Sequence, residues 1–268
     1  MERDRHPWTY FAVVLALAAP FWLVSAATRY LLLPGLPIAA LMAICPAVAA
    51  AILIYETGGI SAVRVFLLRV FDYRRIKNAV WYIPALLLAP FFGAIAYGIQ
   101  RAAGEPIPLP HISPNEIIAL CALFFIGAAA EELGWSGYAT EPLQKRYGAL
   151  RCALIIGFVW AAFHFVPLIE VGRSFEWIAW WTLGTIALRV LIVWLYDNTG
   201  HSVFAAALLH ASTNVSWQAF PVHGSYFDPG INGAIFVAAA VVVIAFGRPF
   251  AVARRLRANA FRPRHRPF

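Results

Sequence analysis

Eight long apolar runs, nearly free of charge, lie at about residues 8 to 28, 34 to 55, 80 to 100, 114 to 135, 150 to 167, 176 to 196, 201 to 219 and 231 to 247. Each is close to the ~20 residues that a helix needs to cross the hydrocarbon core of a bilayer. A soluble fold has no means of covering so much apolar surface, and with 62% hydrophobic and only 13% charged residues the chain is expected to be an all-α polytopic membrane protein of about eight transmembrane helices. No repeat of 20 to 50 residues and no low-complexity stretch is visible. Residues 1–247 read as one integral-membrane domain and 248–268 as a basic cytoplasmic tail.

The net charge of +8 does not point to nucleic acid, because the basic residues sit in short loops and the tail between apolar runs. Counted by side, Arg3, Arg5, Arg64, Arg69, Arg74, Arg75, Lys77, Lys145, Arg146, Arg151 and the tail fall together, while Arg29, Arg101 and Arg173 fall opposite. This asymmetry predicts a multi-pass cell-membrane protein with both termini in the cytoplasm. Val24-Ser25-Ala26 resembles a cleavage site, but the first run is long and Glu2 and Asp4 dilute its positive flank, so a retained anchor is expected. Residues 58 to 78 alternate apolar and basic side chains and are expected to lie along the interface, with arginines toward anionic lipid head groups. Cys45, Cys121 and Cys152 stand in separate runs with no metal-binding or redox spacing and read as apolar packing.

Three of the runs carry polar residues that a purely structural span would avoid. The run from Ile117 to Ala130 leads without a loop into Glu131 and Glu132. A carboxylate in hydrocarbon costs on the order of 3 kcal/mol even on permissive scales, so such a pair tends to face protein or a wet cavity. Span five holds Trp160-Ala-Ala-Phe163-His164, and span seven holds His210-Ala-Ser-Thr-Asn214, which puts imidazole and amide on one helical face. At a rise of ~1.5 Å per residue, Glu131, His164 and His210 would stand about 6, 20 and 14 Å from the cytoplasmic side, a wide spread for one centre. If the faces converge, the set suits activation of water against an amide carbonyl. Glu131 would be the base, His164 would share the water's proton, and His210 with Asn214 would donate to the oxyanion. Glu131, His164 and His210 could alternatively hold a zinc ion, although H-E-x-x-H is absent.

The segments E-E-L-G-W-S-G-Y, W-A-A-F-H and H-A-S-T-N, in that order on separate spans, resemble the intramembrane CAAX prenyl endopeptidase and bacteriocin-processing (CPBP or Abi) family over about residues 114 to 218. The resemblance implies an eight-helix fold with a conical intramembrane active-site cavity open to the cytoplasm. It also implies catalytic roles for Glu131, Glu132, His164, His210 and Asn214, no required cofactor, a divalent metal as the alternative, and a membrane-associated peptide or protein as substrate. Against the family pattern E-E-x-x-x-R, F-x-x-x-H, H-x-x-x-N/D there are two departures. Trp160 replaces Phe, an exchange expected to alter packing only. Ser136 replaces Arg, which leaves Glu132 without its ion-pair partner one turn away.

Either Glu132 is protonated or another cation serves it, and Arg189, alone within span six at about 12 Å from the cytoplasmic side by rise, is the expected partner. A catalytically silent scaffold or bacteriocin self-immunity protein on the same fold is the alternative function, with a proton-coupled transporter behind it. His6, His111, His201, His223 and His265 fall at loops or ends and receive no role. Trp177, Trp180 and Trp181 are assigned to the interfacial aromatic belt.

Overall fold

In a bilayer core no water is available to satisfy backbone N–H and C=O groups, so apolar runs close their hydrogen bonds internally as helices. The computed structural model describes residues 6–110 and 113–247; the expected basic tail, Arg3, Arg5 and His111 lie outside the described residues. The chain runs through α1 (Pro7–Thr28), a short hairpin of β1 (Leu31–Leu33) and β2 (Leu36–Pro37), a 3-10 segment (Ile38–Ile44), α2 (Cys45–Leu67), α3 (Tyr82–Ala102) and α4 (Pro114–Glu132). A π-helical segment (Leu133–Thr140), α5 (Glu141–Tyr147), α6 (Ala149–Phe163), α7 (Phe165–Glu170), α8 (Phe175–Asn198), α9 (Val203–Ala219) and α10 (Pro229–Phe246) complete it.

Helix starts follow from local chemistry. Ser113, Ser174 and Ser202 accept hydrogen bonds from the backbone N–H groups of Glu116, Trp177 and Ala205, and Asp228 does the same for Ile231. Pro114 opens α4 behind its serine cap, where its missing N–H costs nothing.

Among the described residues, seven helical segments are long and apolar enough to cross a membrane. The remaining expected span is α9, only 17 residues long, whose N-terminus is met inside the bundle by the carboxylate of Asp72. Its partners in packing are α3, α4 and α8, and α8 in turn packs against α6 and α10. Small residues bring these helices close: a Cβ on Gly157 of α6 would stand 3.0 Å from the Cα of Ile186 in α8. A Cβ on Gly134 would overlap the hydroxyl of Tyr10 and the carbonyl of Pro46, which locks α1 and α2 against the π segment.

Three sequence expectations change here. The fourth span does not stop near residue 135: helix continues through the π segment and α5 to Tyr147, 34 residues in all. Glu131 therefore stands roughly 20 Å or more from that end by rise, not about 6 Å, at a depth comparable with His164. Residues 58 to 78 continue α2 past a kink at Gly59 (φ 64°) and then form short 3-10 turns. Arg69 turns inward and donates to the Gly137 carbonyl, the Tyr196 hydroxyl and the His201 carbonyl. Cys45 and Cys152 are buried as expected, but Cys121 is exposed on the outer surface of α4.

Candidate active site

Helices α4, α6 and α9 converge on one cavity of about 720 Å³, and Glu131, Trp160, His164, His210 and Asn214 all stand on its wall. The first of these owes its depth to the long fourth segment. His164 sits at a break in the helix: Pro167 has no N–H to offer the carbonyl of Phe163, so α6 ends there and α7 restarts one residue later. His210 and Asn214 share a face of α9, one turn apart.

The cavity runs from these side chains toward the end of the bundle that carries the hairpin and residues such as Trp177, Phe220 and Phe227. The basic loops around Arg74, Lys77, Lys145 and Arg151 lie at the other end. With the basic loops in the cytoplasm, as the charge asymmetry predicts, this lining extends away from the cytoplasmic side rather than toward it as expected from the sequence. Trp177 and Trp181 are cavity-wall residues, and the ring of Trp181 lies 5.6 Å from that of His164.

The two glutamates have different surroundings. Glu132 is fully buried. Arg189 grips it with both terminal nitrogens, Nη1 donating to Oε2 at 2.8 Å and Nη2 to Oε1 at 2.9 Å, so the expected pair exists. Ser136, in the place where the family pattern has arginine, donates its hydroxyl to Oε2, and His210 Nδ1 donates to Oε1 at 3.0 Å. With every bond directed into protein, Glu132 stands behind the cavity wall and holds His210 in place. Glu131, by contrast, faces the cavity. Its Oε2 accepts from two indoles, Trp160 Nε1 at 2.7 Å and Trp135 Nε1 at 3.1 Å. The expectation that tryptophan at 160 would alter packing only is therefore wrong, because the exchange brings a donor as well as a larger ring. A signal was present: Trp135 stands one turn after Glu131, and Trp160 one turn before His164.

Hydrogen-bond partners fix the chemistry of the imidazoles. His164 Nδ1 lies 2.8 Å from the Trp160 carbonyl, which can only accept, so Nδ1 carries the proton and Nε2 keeps a lone pair in the neutral ring. For His210 the same reasoning with the Glu132 carboxylate protonates Nδ1; Nε2 donates when the ring carries its second proton. Among the described residues no three side chains of His, Cys, Asp or Glu form a group that could hold a metal ion, so Glu131, His164 and His210 do not fit a ready zinc site.

A second polar cluster lies at the basic end, outside the cavity. His201, which the sequence left without a role, has Nδ1 3.5 Å from Glu141 and Nε2 3.4 Å from Asp197, and stacks on Tyr196. Hydrogen bonding to Asp197 and then to Glu141 raises its pKa to about 9.

The fold and site define a class: a polytopic helical membrane protein that buries carboxylates, imidazoles and a guanidinium around an internal cavity. Residues 113–216, from the cap of α4 into α9, match the family described as type II CAAX prenyl endopeptidase Rce1-like. The chain is also similar to CAAX prenyl protease 2 of Methanococcus maripaludis, at 25% identity over 198 residues that cover 68% of this chain and 69% of that protein. This core, which contains all five of the expected site residues, is thus the part of the chain that is similar to CAAX prenyl endopeptidases.

Proposed function

We propose that this protein is an intramembrane endopeptidase that hydrolyses a peptide bond of a membrane-associated protein or peptide. The observation that carries the reading is the presence of Glu131, His164, His210 and Asn214 on one cavity wall within the bundle. A water in the cavity gives its proton to Glu131 as its oxygen attacks the scissile carbonyl carbon. The lone pair of His164 Nε2 orients that water, then takes the proton from Glu131 and passes it to the amine nitrogen as the C–N bond breaks. The tetrahedral oxyanion accepts from the Asn214 amide and from protonated His210, held by the Glu132 carboxylate behind it. The mostly apolar remainder of the cavity excludes bulk water, which strengthens each of these interactions. The match of residues 113–216 to the family described as type II CAAX prenyl endopeptidase Rce1-like and the name of the Methanococcus maripaludis relative support the same reaction class.

The silent-scaffold alternative drew on the loss of the family arginine at Ser136. Arg189 supplies a guanidinium to Glu132 from α8, which weakens that argument. The deciding experiment is cleavage of a membrane-proximal peptide by the purified protein. Activity is expected to fall at least about 100-fold in Glu131→Ala and in His164→Ala, the usual worth of a general base or its partner. Unchanged turnover in Glu131→Ala would end the proposal.

A further inference from the structure

Trp160 touches Glu131, Arg189 and His210 at once. Its N–H donates to Glu131 Oε2 at 2.7 Å, the guanidinium carbon of Arg189 lies 4.3 Å from its ring centroid, and the ring of His210 meets it edge-on at 4.9 Å. The side chain is only 4% exposed, so no bulk water competes for these contacts. A phenylalanine would fill most of the same volume and keep the ring contacts while losing the donor.

We propose that Trp160 is a positioning residue for Glu131. The inference rests on Glu131 serving as the base. A carboxylate withdrawn from water needs donors to stay in one orientation, and charge-assisted hydrogen bonds are the strongest available. The indoles of Trp160 and Trp135 both address Oε2, whereas no described donor addresses Oε1. The pair thus fixes the carboxylate by one oxygen and leaves the other to take the proton from water. Arg189 reinforces the arrangement, because a cation over the indole face draws electron density from the ring and makes its N–H a better donor. One guanidinium thereby serves Glu132 directly and Glu131 through the indole.

The test compares Trp160→Phe, Trp135→Phe and Glu131→Ala in the full-length purified protein with a membrane-proximal peptide as substrate. Trp160→Phe is expected to lower kcat about 10- to 100-fold, the cost of one hydrogen bond to a charged group, with KM within about twofold. Trp135→Phe, losing the longer bond, is expected to lower kcat less. A residue that only packs would leave kcat within about twofold or change KM in step, and either result overturns the inference while an inactive Glu131→Ala keeps the protease reading intact. An active Glu131→Ala would remove that reading and the inference with it.

A second readout needs neither turnover nor substitution at 160. In ultraviolet resonance Raman difference spectra, the intensity of the indole N–H bending band from strongly hydrogen-bonded tryptophan is expected to fall in Glu131→Ala, which frees the Trp160 and Trp135 indoles together. An identical band in the two proteins would show that neither indole depends on the carboxylate.

Discussion

Replacing Arg189 with methionine tests the electrostatic foundation of the site. Both partners of the Arg189–Glu132 pair have no exposed side-chain surface, and two direct bonds of 2.8 and 2.9 Å join them. Methionine fills much of the space but leaves a buried carboxylate uncompensated, a change that costs about 3 to 5 kcal/mol in comparable buried pairs. The Ser136 hydroxyl and His210 Nδ1 remain on Glu132, which puts the expected cost near the lower figure, about 3 kcal/mol. For a chain of this size, each kcal/mol lost shifts Tm by roughly 2 to 4 °C, so a fall of roughly 6 to 12 °C is expected. A thiol-reactive fluorescent dye supplies the assay: Cys45 and Cys152 are buried and report unfolding, over a constant signal from exposed Cys121. Neutralising both partners in Glu132→Gln/Arg189→Met is expected to recover most of the loss, because a buried pair and its neutral replacement are often close in stability. Placing the cation on α4 instead, in Ser136→Arg/Arg189→Ala, is expected to recover part of it, since residue 136 lies one turn from Glu132. An Arg189→Met protein melting within about 2 °C of wild type, or a double neutral variant melting below the single one, would refute the argument that a charged carboxylate at 132 depends on this guanidinium.

Two further outcomes follow from the basic end of the bundle. Asp72 accepts from the Ser202 hydroxyl at 2.7 Å and from the N–H groups of Phe204 and Val203 at 3.1 and 3.2 Å, which anchors the helix that carries His210 and Asn214. Asp72→Ala is expected to cost about 1 to 2 kcal/mol, read as a lower Tm, and to slow cleavage several-fold, with Asp72→Asn retaining most of both. His201 gains its proton affinity from folding: its pKa of about 9 lies above the ~6.5 of an unfolded chain. The stabilisation is therefore complete below about pH 6.5 and is lost as pH rises through 9. With the side chain 44% exposed, solvent screening reduces it to about 1 kcal/mol. Wild-type Tm is expected to fall roughly 2 to 4 °C more than that of His201→Gln between pH 7 and 10; parallel curves for the two proteins would refute this.

The sequence by itself determined the all-α membrane architecture, because apolar runs of bilayer length leave the backbone no other way to satisfy its hydrogen bonds in lipid. It also singled out Glu131, Glu132, His164, His210 and Asn214, since ionisable or amide groups are costly at that depth and stand out against their neighbours. Even the Arg189–Glu132 pair was legible, as two intramembrane charges without other partners. Only the tertiary structure decided how these residues divide their work. The π segment carries helix on to Tyr147 and so brings Glu131 to the depth of His164, a change of register that hydropathy does not encode. Whether Trp160 packs or donates depends on what lies across the interface between α4 and α6, and which end of the bundle holds the cavity depends on how the helices splay. Apolar content and the cost of a buried charge are local properties of the chain, but a hydrogen bond between helices is fixed only when those helices meet.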